Sequence, residues 1–238
     1  MPSERSLLLA WTWQPIGVKL LRNSLKRETA DTYTYTWAMS TTANEPTAAR
    51  MLTVAAALFR EKGFTATSTR ELSDRLGIQN SSLYHHIRSK NDLLYSISME
   101  SVKHMVDTLE AVLADSTYAS APAAERLQRV ITAHLTAAIA DRDMHATMLA
   151  EMRALPPERR AEVVVARADY EQRVREIIAE AQESGDLVAD PSARYLTLAL
   201  LNLLNWTIFW YDPQGELQVP ELAEILSNVY LRGVLTSD

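Results

Sequence analysis

The sequence contains no cysteine, so disulfides, thiolate metal sites and cysteine nucleophiles are excluded. Only six glycines and three phenylalanines occur in 238 residues, while Ala and Leu abound. Scarce glycine and plentiful helix formers favour helices over a many-stranded β fold. No apolar run reaches the roughly 18–20 residues that a membrane helix needs. Leu7 to Trp13 follows Arg5 and faintly resembles a signal peptide, but the run is short and no small-residue cleavage site follows. A cytoplasmic protein with no membrane partner is expected. A Gly-rich phosphate loop, a nucleophile elbow and a metal-ligand motif are also missing. No catalytic set, cofactor or metal site is therefore predicted, and the chain is not read as an enzyme. The nearest approach to acid–base groups, His134 and His145 with Asp141 and Asp143, is linked by helical spacing alone.

A basic overall charge is lacking too: the net charge is −6. Its distribution is uneven. Residues 47–91 carry seven Lys/Arg against three Asp/Glu, whereas residues 92–238 carry 12 against 23. A basic head on an acidic body concentrates the phosphate-attracting surface on one small unit.

What is present is helical periodicity. Residues 1–46 show none, and Thr29 to Thr42 is dense in Thr, Tyr and Trp. This segment is expected to be a flexible arm, either a plain tail or one touching DNA or a partner subunit. Met39 offers an alternative start. From Thr47, Leu52, Ala55, Ala56, Leu58 and Phe59 recur at helical spacing, and Gly63 marks the stop. Ser68-Thr-Arg-Glu71 reads as a capping box opening a second helix that ends at Gly77. A short third helix covers Asn80 to His86. Ser89-Lys-Asn-Asp92 is a second box, opening a long fourth helix. Later prolines (Pro122, Pro156, Pro157, Pro191 and Pro220) sit where helices begin. Asp190-Pro191 reads as N-cap and first helical residue. The predicted segments are 122–140, 141–153, 156–184, 191–211 and 219–235. With the four before them they make an all-α fold of about nine helices.

Leu58 to Leu94 is the informative block. A helix-turn-helix needs two short helices locked by apolar residues across a tight turn. Leu72, Leu76, Ile78, Leu83 and Ile87 supply the lock and Gly77 the turn. His85-His86 is no metal site, because adjacent helical positions diverge by about 100°. Arg70 and Arg75 read as solvated or intra-domain charges.

Phe59, Gly63, Thr67 to Thr69, Leu72, Gly77, Leu83 to His86, Ser89, Lys90 and Leu93-Leu94 together resemble the TetR family of transcriptional regulators. The resemblance implies an N-terminal helix-turn-helix domain (47–91) on a C-terminal helical ligand-sensing and dimerisation domain (92–238). It places Gln79, Asn80, Ser81, Ser82, Tyr84 and His85 on or beside the recognition helix, where the amides and serine hydroxyls suit base edges and Tyr84 and His85 suit phosphate or thymine-methyl contacts. Ser68, Thr69 and Lys90 would hold phosphates at helix starts. At Gln79 many relatives have Ser or Thr, and at Ile87 usually Phe. The implied partners are a palindromic double-stranded operator, a second copy through helices 8 and 9, and a small-molecule inducer. The implied role is that of a repressor.

The body agrees with this in outline. Residues 191–211 and 219–235 are unusually apolar, the first nearly all round, which requires burial on all sides and hence a partner subunit. Polar groups embedded in apolar helices are ligand candidates: His134, His145, Met148, Met152, Tyr170, Asn202, Asn205 and Trp206. The same residues serve equally as satisfied core or interface positions. Arg142, Arg153, Arg159 and Arg160 gather at the junction of helices 6 and 7, as a seat for an anionic head or as an exposed helix end. Phenolic and acyl-CoA or fatty-acid-like ligands both remain open.

Overall fold

The computed structural model describes residues 47–235; the predicted arm and Met39 lie outside the described residues. Among these, the chain forms α1 (Thr47–Lys62), α2 (Thr69–Leu76), α3 (Asn80–His86), α4 (Lys90–Leu113), α5 (Ala123–Ala140), α6 (Arg142–Glu151), α7 (Pro157–Glu183), α8 (Ala193–Trp210) and α9 (Val219–Val234). A 3-10 turn, Met152–Ala154, extends α6, and one isolated antiparallel bridge joins Leu187 to Leu235. No described helix is long and apolar enough to cross a membrane. The fold is all-α, as expected.

Local chemistry sets the element ends. The Ser68 hydroxyl accepts from the Glu71 amide while Glu71 reaches back to the Ser68 amide, satisfying two free donors of α2. Lys62, followed by the two Ser68 contacts, holds the Glu71 carboxyl down at about 2. Gly77 closes α2 at φ 71°, a left-handed conformation that a Cβ disfavours, and donates to Asp74 O. Ser89 caps α4 by accepting from Asp92 N–H. Gln218 and Glu221 form a second box at α9. One boundary differs from expectation: α8 starts at Ala193 with Ser192 at its N-cap, and Asp190–Pro191 is a cis peptide just upstream. A prolyl ring fits either a turn or a first helical turn, so local sequence did not separate the two.

Four of the five residues of the helix-turn-helix lock are packed as read: Leu72 and Leu83 are fully buried, with Leu76 and Ile87 close behind, while Ile78, next to the turn at Gly77, is only half-buried. Phe59 and Phe64 meet edge to face at 5.2 Å beneath them. The helix α4 then runs without a break across position 92, burying Leu94, Ile97, Ser101, Met105 and Leu109 against the body. It packs on α5, α6 and α7, while α9 lies along α5 and α8 along α7. The described residues from Met51 onward cluster as one unit.

Burial of α8 is one-sided within the chain. Leu196, Leu200, Leu201, Leu204 and Ile208 are inside, whereas Tyr195 and Trp210 are 60% and 50% exposed. On α9, Ile225 and Val229 are exposed likewise.

Candidate functional site

Two constellations stand out, one on the head and one inside the body. On the head, Gln79, Asn80 and Ser81 lie toward the outside at the start of α3 and Tyr84 is 51% exposed one turn on. Ser82 is half-buried, its amide donating to Gln79 O at 2.9 Å, and His85 falls in the last turn of the same helix. The Tyr84 hydroxyl lies 3.2 Å from Thr69 Oγ1, linking the starts of α2 and α3 on one surface with exposed Ser68 beside them. Gln79 at the N-cap makes no side-chain capping bond, so its amide is left to face outward. The rest of the basic charge is partly neutralised in place. Lys62 pairs with Glu71 at 2.7 Å and Arg75 with Glu61 at 3.2 Å, in line with the intra-domain reading of Arg75.

Lys90 departs from its expected role. Its ammonium donates to the carbonyls of Phe64 at 2.6 Å and Thr67 at 2.7 Å and stands 4.4 Å above the Phe64 ring. Burial lowers its pKa from the ordinary lysine value, with Glu151 and Glu71 opposing. The side chain therefore fastens the α1–α2 connection to α4 instead of pointing out at a phosphate. Lys90→Met is expected to lower the unfolding free energy by about 1–3 kcal/mol, as for hydrogen bonds to a charged group. The slope of log affinity against log salt for DNA should be unchanged; a slope shallower by about one unit would return Lys90 to the phosphates.

Inside the body, four of the predicted ligand residues meet. The Tyr170 hydroxyl lies 2.8 Å from His134 Nδ1, and His145 Nε2 lies 3.0 Å from Asn205 Oδ1. The two imidazoles stand edge to face at 6.1 Å. Ser101 of α4, which sequence reasoning passed over, completes the chain with Oγ 3.1 Å from His145 Nδ1. Arg167 was also missed; Nη1 lies 3.1 Å from Met152 Sδ. Both interrupt buried helical stripes, between Ile97 and Met105 and between Val163 and Val174, which is the signal that marks them. Met148 and Met152 are buried. Burial pushes His134 down to about 3, aided by His145, and His145 down to about 4, so both rings are neutral at pH 7.

The other candidates are elsewhere. Asn202 is exposed on the outer face of α8 with Tyr195, away from the polar core. Trp206 is half-buried and packs on Phe209 at 5.2 Å. Polarity within an apolar helix identified Asn202 but not the side it faces. Among the four arginines, Arg159 pairs with Asp92 at 2.6 Å beside the Tyr95 ring, and Arg142 Nε donates to Ile208 O at 3.2 Å. These two stitch helices together. Arg153 and Arg160 are nearer the surface.

The helix α6 connects the two constellations. His145 and Met148 face the body core, while Asp143 pairs with Arg60 of α1 at 2.6 Å and Thr147 Oγ1 donates to Ala56 O of α1 at 3.0 Å. A ten-residue helix thus holds the polar core on one side and the head on the other.

Two family models match the chain: "Bacterial regulatory proteins, tetR family" over residues 51–97 and "Tetracyclin repressor-like, C-terminal domain" over residues 120–234. The HTH-type transcriptional repressor KstR2 of Mycobacterium tuberculosis is 26% identical over 186 residues, spanning 77% of this chain and 90% of the relative. The crystal structure of PfmR, a TetR family transcriptional regulator from Thermus thermophilus, superposes with a TM-score of 0.69 at 33% identity, covering 77% of this chain and 97% of that one. AibR, solved with isovaleryl coenzyme A and operator DNA, shares the fold with a TM-score of 0.68 at 22% identity, covering 77% and 97%.

Proposed function

The chain belongs to the TetR family of DNA-binding transcriptional regulators, and from that premise we propose that it is a repressor released from a palindromic operator by a small, largely apolar ligand. The observation that carries this reading is the double attachment of α6, which lines the polar core through His145 and grips α1 through Asp143 and Thr147. A ligand that parts Ser101, His145 and Asn205 moves α6, and with it α1 and the recognition helix. It acts only through its different affinity for the two arrangements. Asn205 with His134, His145, Met148, Met152 and Tyr170 form the ligand site in this reading, and the ligand is phenolic or acyl-CoA or fatty-acid-like.

On the DNA side, Gln79, Asn80, Ser81 and Tyr84 occupy the outward-facing start of α3, where a recognition helix presents its side chains to the major groove. Ser82 and His85 flank them, and Ser68 and Thr69 meet the phosphates. Two copies joined through α8 and α9 set the spacing of the two heads. DNase footprinting across the gene's own promoter tests this, with a protected palindrome the expected result. Asn80→Ala should then weaken the protected site by about 5- to 100-fold, the size of one base contact, while leaving random DNA unaffected. Absence of any protected palindrome at modest salt overturns the repressor reading. Binding that ignores sequence and vanishes steeply with salt would show an architectural protein instead.

A further inference from the structure

The two buried histidines differ in one respect. His145 is complete: Ser101 Oγ–H donates to Nδ1, and Nε2–H donates to Asn205 Oδ1. His134 is 3% exposed and has a partner in full hydrogen-bond geometry at Nδ1 only; at Nε2 the one polar neighbour is the Asn205 amide, already engaged by His145 and outside that geometry. The contact with Tyr170 settles which kind of group is left open. If the phenol donates to Nδ1, the ring carries its hydrogen on Nε2, and one donor is unmet. If Nδ1–H donated to the phenol oxygen, Nε2 would lack a donor and the phenol hydrogen would lack an acceptor. One unmet group costs less than two, so the phenol donates and Nε2–H is the open donor.

This inference rests on the ligand-released reading above and names the chemistry of the ligand. We infer that His134 Nε2–H is the orienting donor of the ligand site, and that it takes an uncharged carbonyl oxygen on an apolar body, that of a ketone, a carboxylic ester or a thioester such as an acyl-CoA carries. Two chemical arguments and one observation converge on this class. A carbonyl accepts without bringing a hydrogen that itself needs a partner, unlike a phenol or an alcohol. The donor at this point is a neutral N–H, which repays a carboxylate's desolvation poorly, and the part-buried cation of this core, Arg167, stands at Met152 Sδ instead of at His134. Met148 and Met152, buried on α6 and the turn after it, are the unbranched, adaptable apolar side chains of the proposed site. Tyr170 is the positioning residue, fixing the tautomer that aims the donor.

The test is a long-range 15N–1H spectrum of the full-length protein with 15N-labelled histidine. In the free protein His134 should show the Nε2–H tautomer; the Nδ1–H tautomer overturns the inference. 2-Octanone, 1-octanol, octanoate and octane are then titrated. 2-Octanone should shift the His134 Nε2 resonance and bind about tenfold more tightly than octane, as one added hydrogen bond allows. His134→Phe should abolish that tenfold preference while octane binding persists, with the His145 resonances reporting an intact core. Octanol equal to octanone, a response to octanoate alone, or no probe moving His134 beyond octane each overturns it; the last leaves Nε2 with a structural water. Operator binding measured in the same samples separates the two readings. A silent His134 in a protein that other compounds release from DNA defeats this inference alone. A responsive His134 in a protein that protects no operator defeats the repressor reading alone.

Discussion

Acidification from pH 7 to pH 5 is expected to lower the unfolding free energy by roughly 3–4 kcal/mol, mainly through His134 and His145. Both rings are buried and held neutral, with pKa values of about 3 and about 4 against an ordinary 6.5. In the unfolded chain they take up protons as pH falls through 6.5; in the folded chain they do not until pH falls to about 4. Between those limits the unfolded state binds more protons, so stability rises with pH and is lost on acidification. Each ring contributes a slope of up to about 1.4 kcal/mol per pH unit in that window. The depressed carboxylates do not confuse the result. Glu71, at about 2, loses its contribution only at lower pH. Urea unfolding followed by circular dichroism at pH 7, 6 and 5 reads the slope directly. His145→Gln should cut it by about half, because one of the two titrating rings is gone. Stability that is flat from pH 7 to pH 5 would mean that the two rings are not held neutral.

The sequence made the head legible almost residue by residue, because its determinants are local. The Ser68–Glu71 box, the turn at Gly77 and the stripe from Leu72 to Leu83 are each written within a few residues, and each appears in the structure. Long-range partners were not legible. Lys90 looked like a phosphate ligand until the fold brought the Phe64 and Thr67 carbonyls to its ammonium across more than twenty residues. His134, His145, Tyr170 and Asn205 were identified by polarity in apolar surroundings, which detects buried polar groups but not who pairs with whom. The same criterion admitted Asn202, which is polar because it faces outward. Ser101 was passed over because a serine in an otherwise apolar stripe of α4 looks like a tolerated core residue until His145 is placed against it. The prediction that α8 is buried all round is met on only one side by this chain, and the other side leads to the second large effect.

Val229→Glu is expected to convert a dimer to a monomer and to raise the protein concentration for half-saturation of the operator by about 100-fold or more. On the outer faces of α8 and α9, Tyr195, Trp210, Ile225 and Val229 are each between 48% and 62% exposed in the single chain. Trp206 and Phe209 are half-buried beside them. Aromatic and branched side chains of this kind form the centres of protein interfaces and are unfavourable in water at about 25 cal/mol per Å². In the dimer proposed above, a second copy related by a two-fold axis would cover the patch with the same patch, so that each apolar group finds its counterpart. Val229 is the most exposed of them, at 62%, so a carboxylate there does little harm to the folded chain on its own. In a two-fold contact it must instead lose its hydration twice, once on each copy. The consequence for DNA follows from geometry. A dimer places two recognition helices on two half-sites, and once the first is bound the second binds at a high effective concentration; a monomer loses that gain. Sedimentation velocity gives the mass and fluorescence anisotropy on a labelled operator gives the affinity. If the variant keeps twice the chain mass and full operator affinity, the subunits meet on a face other than α8 and α9. If it becomes monomeric yet binds the operator unchanged, one head alone supplies the recognition and the palindrome is not what the protein reads.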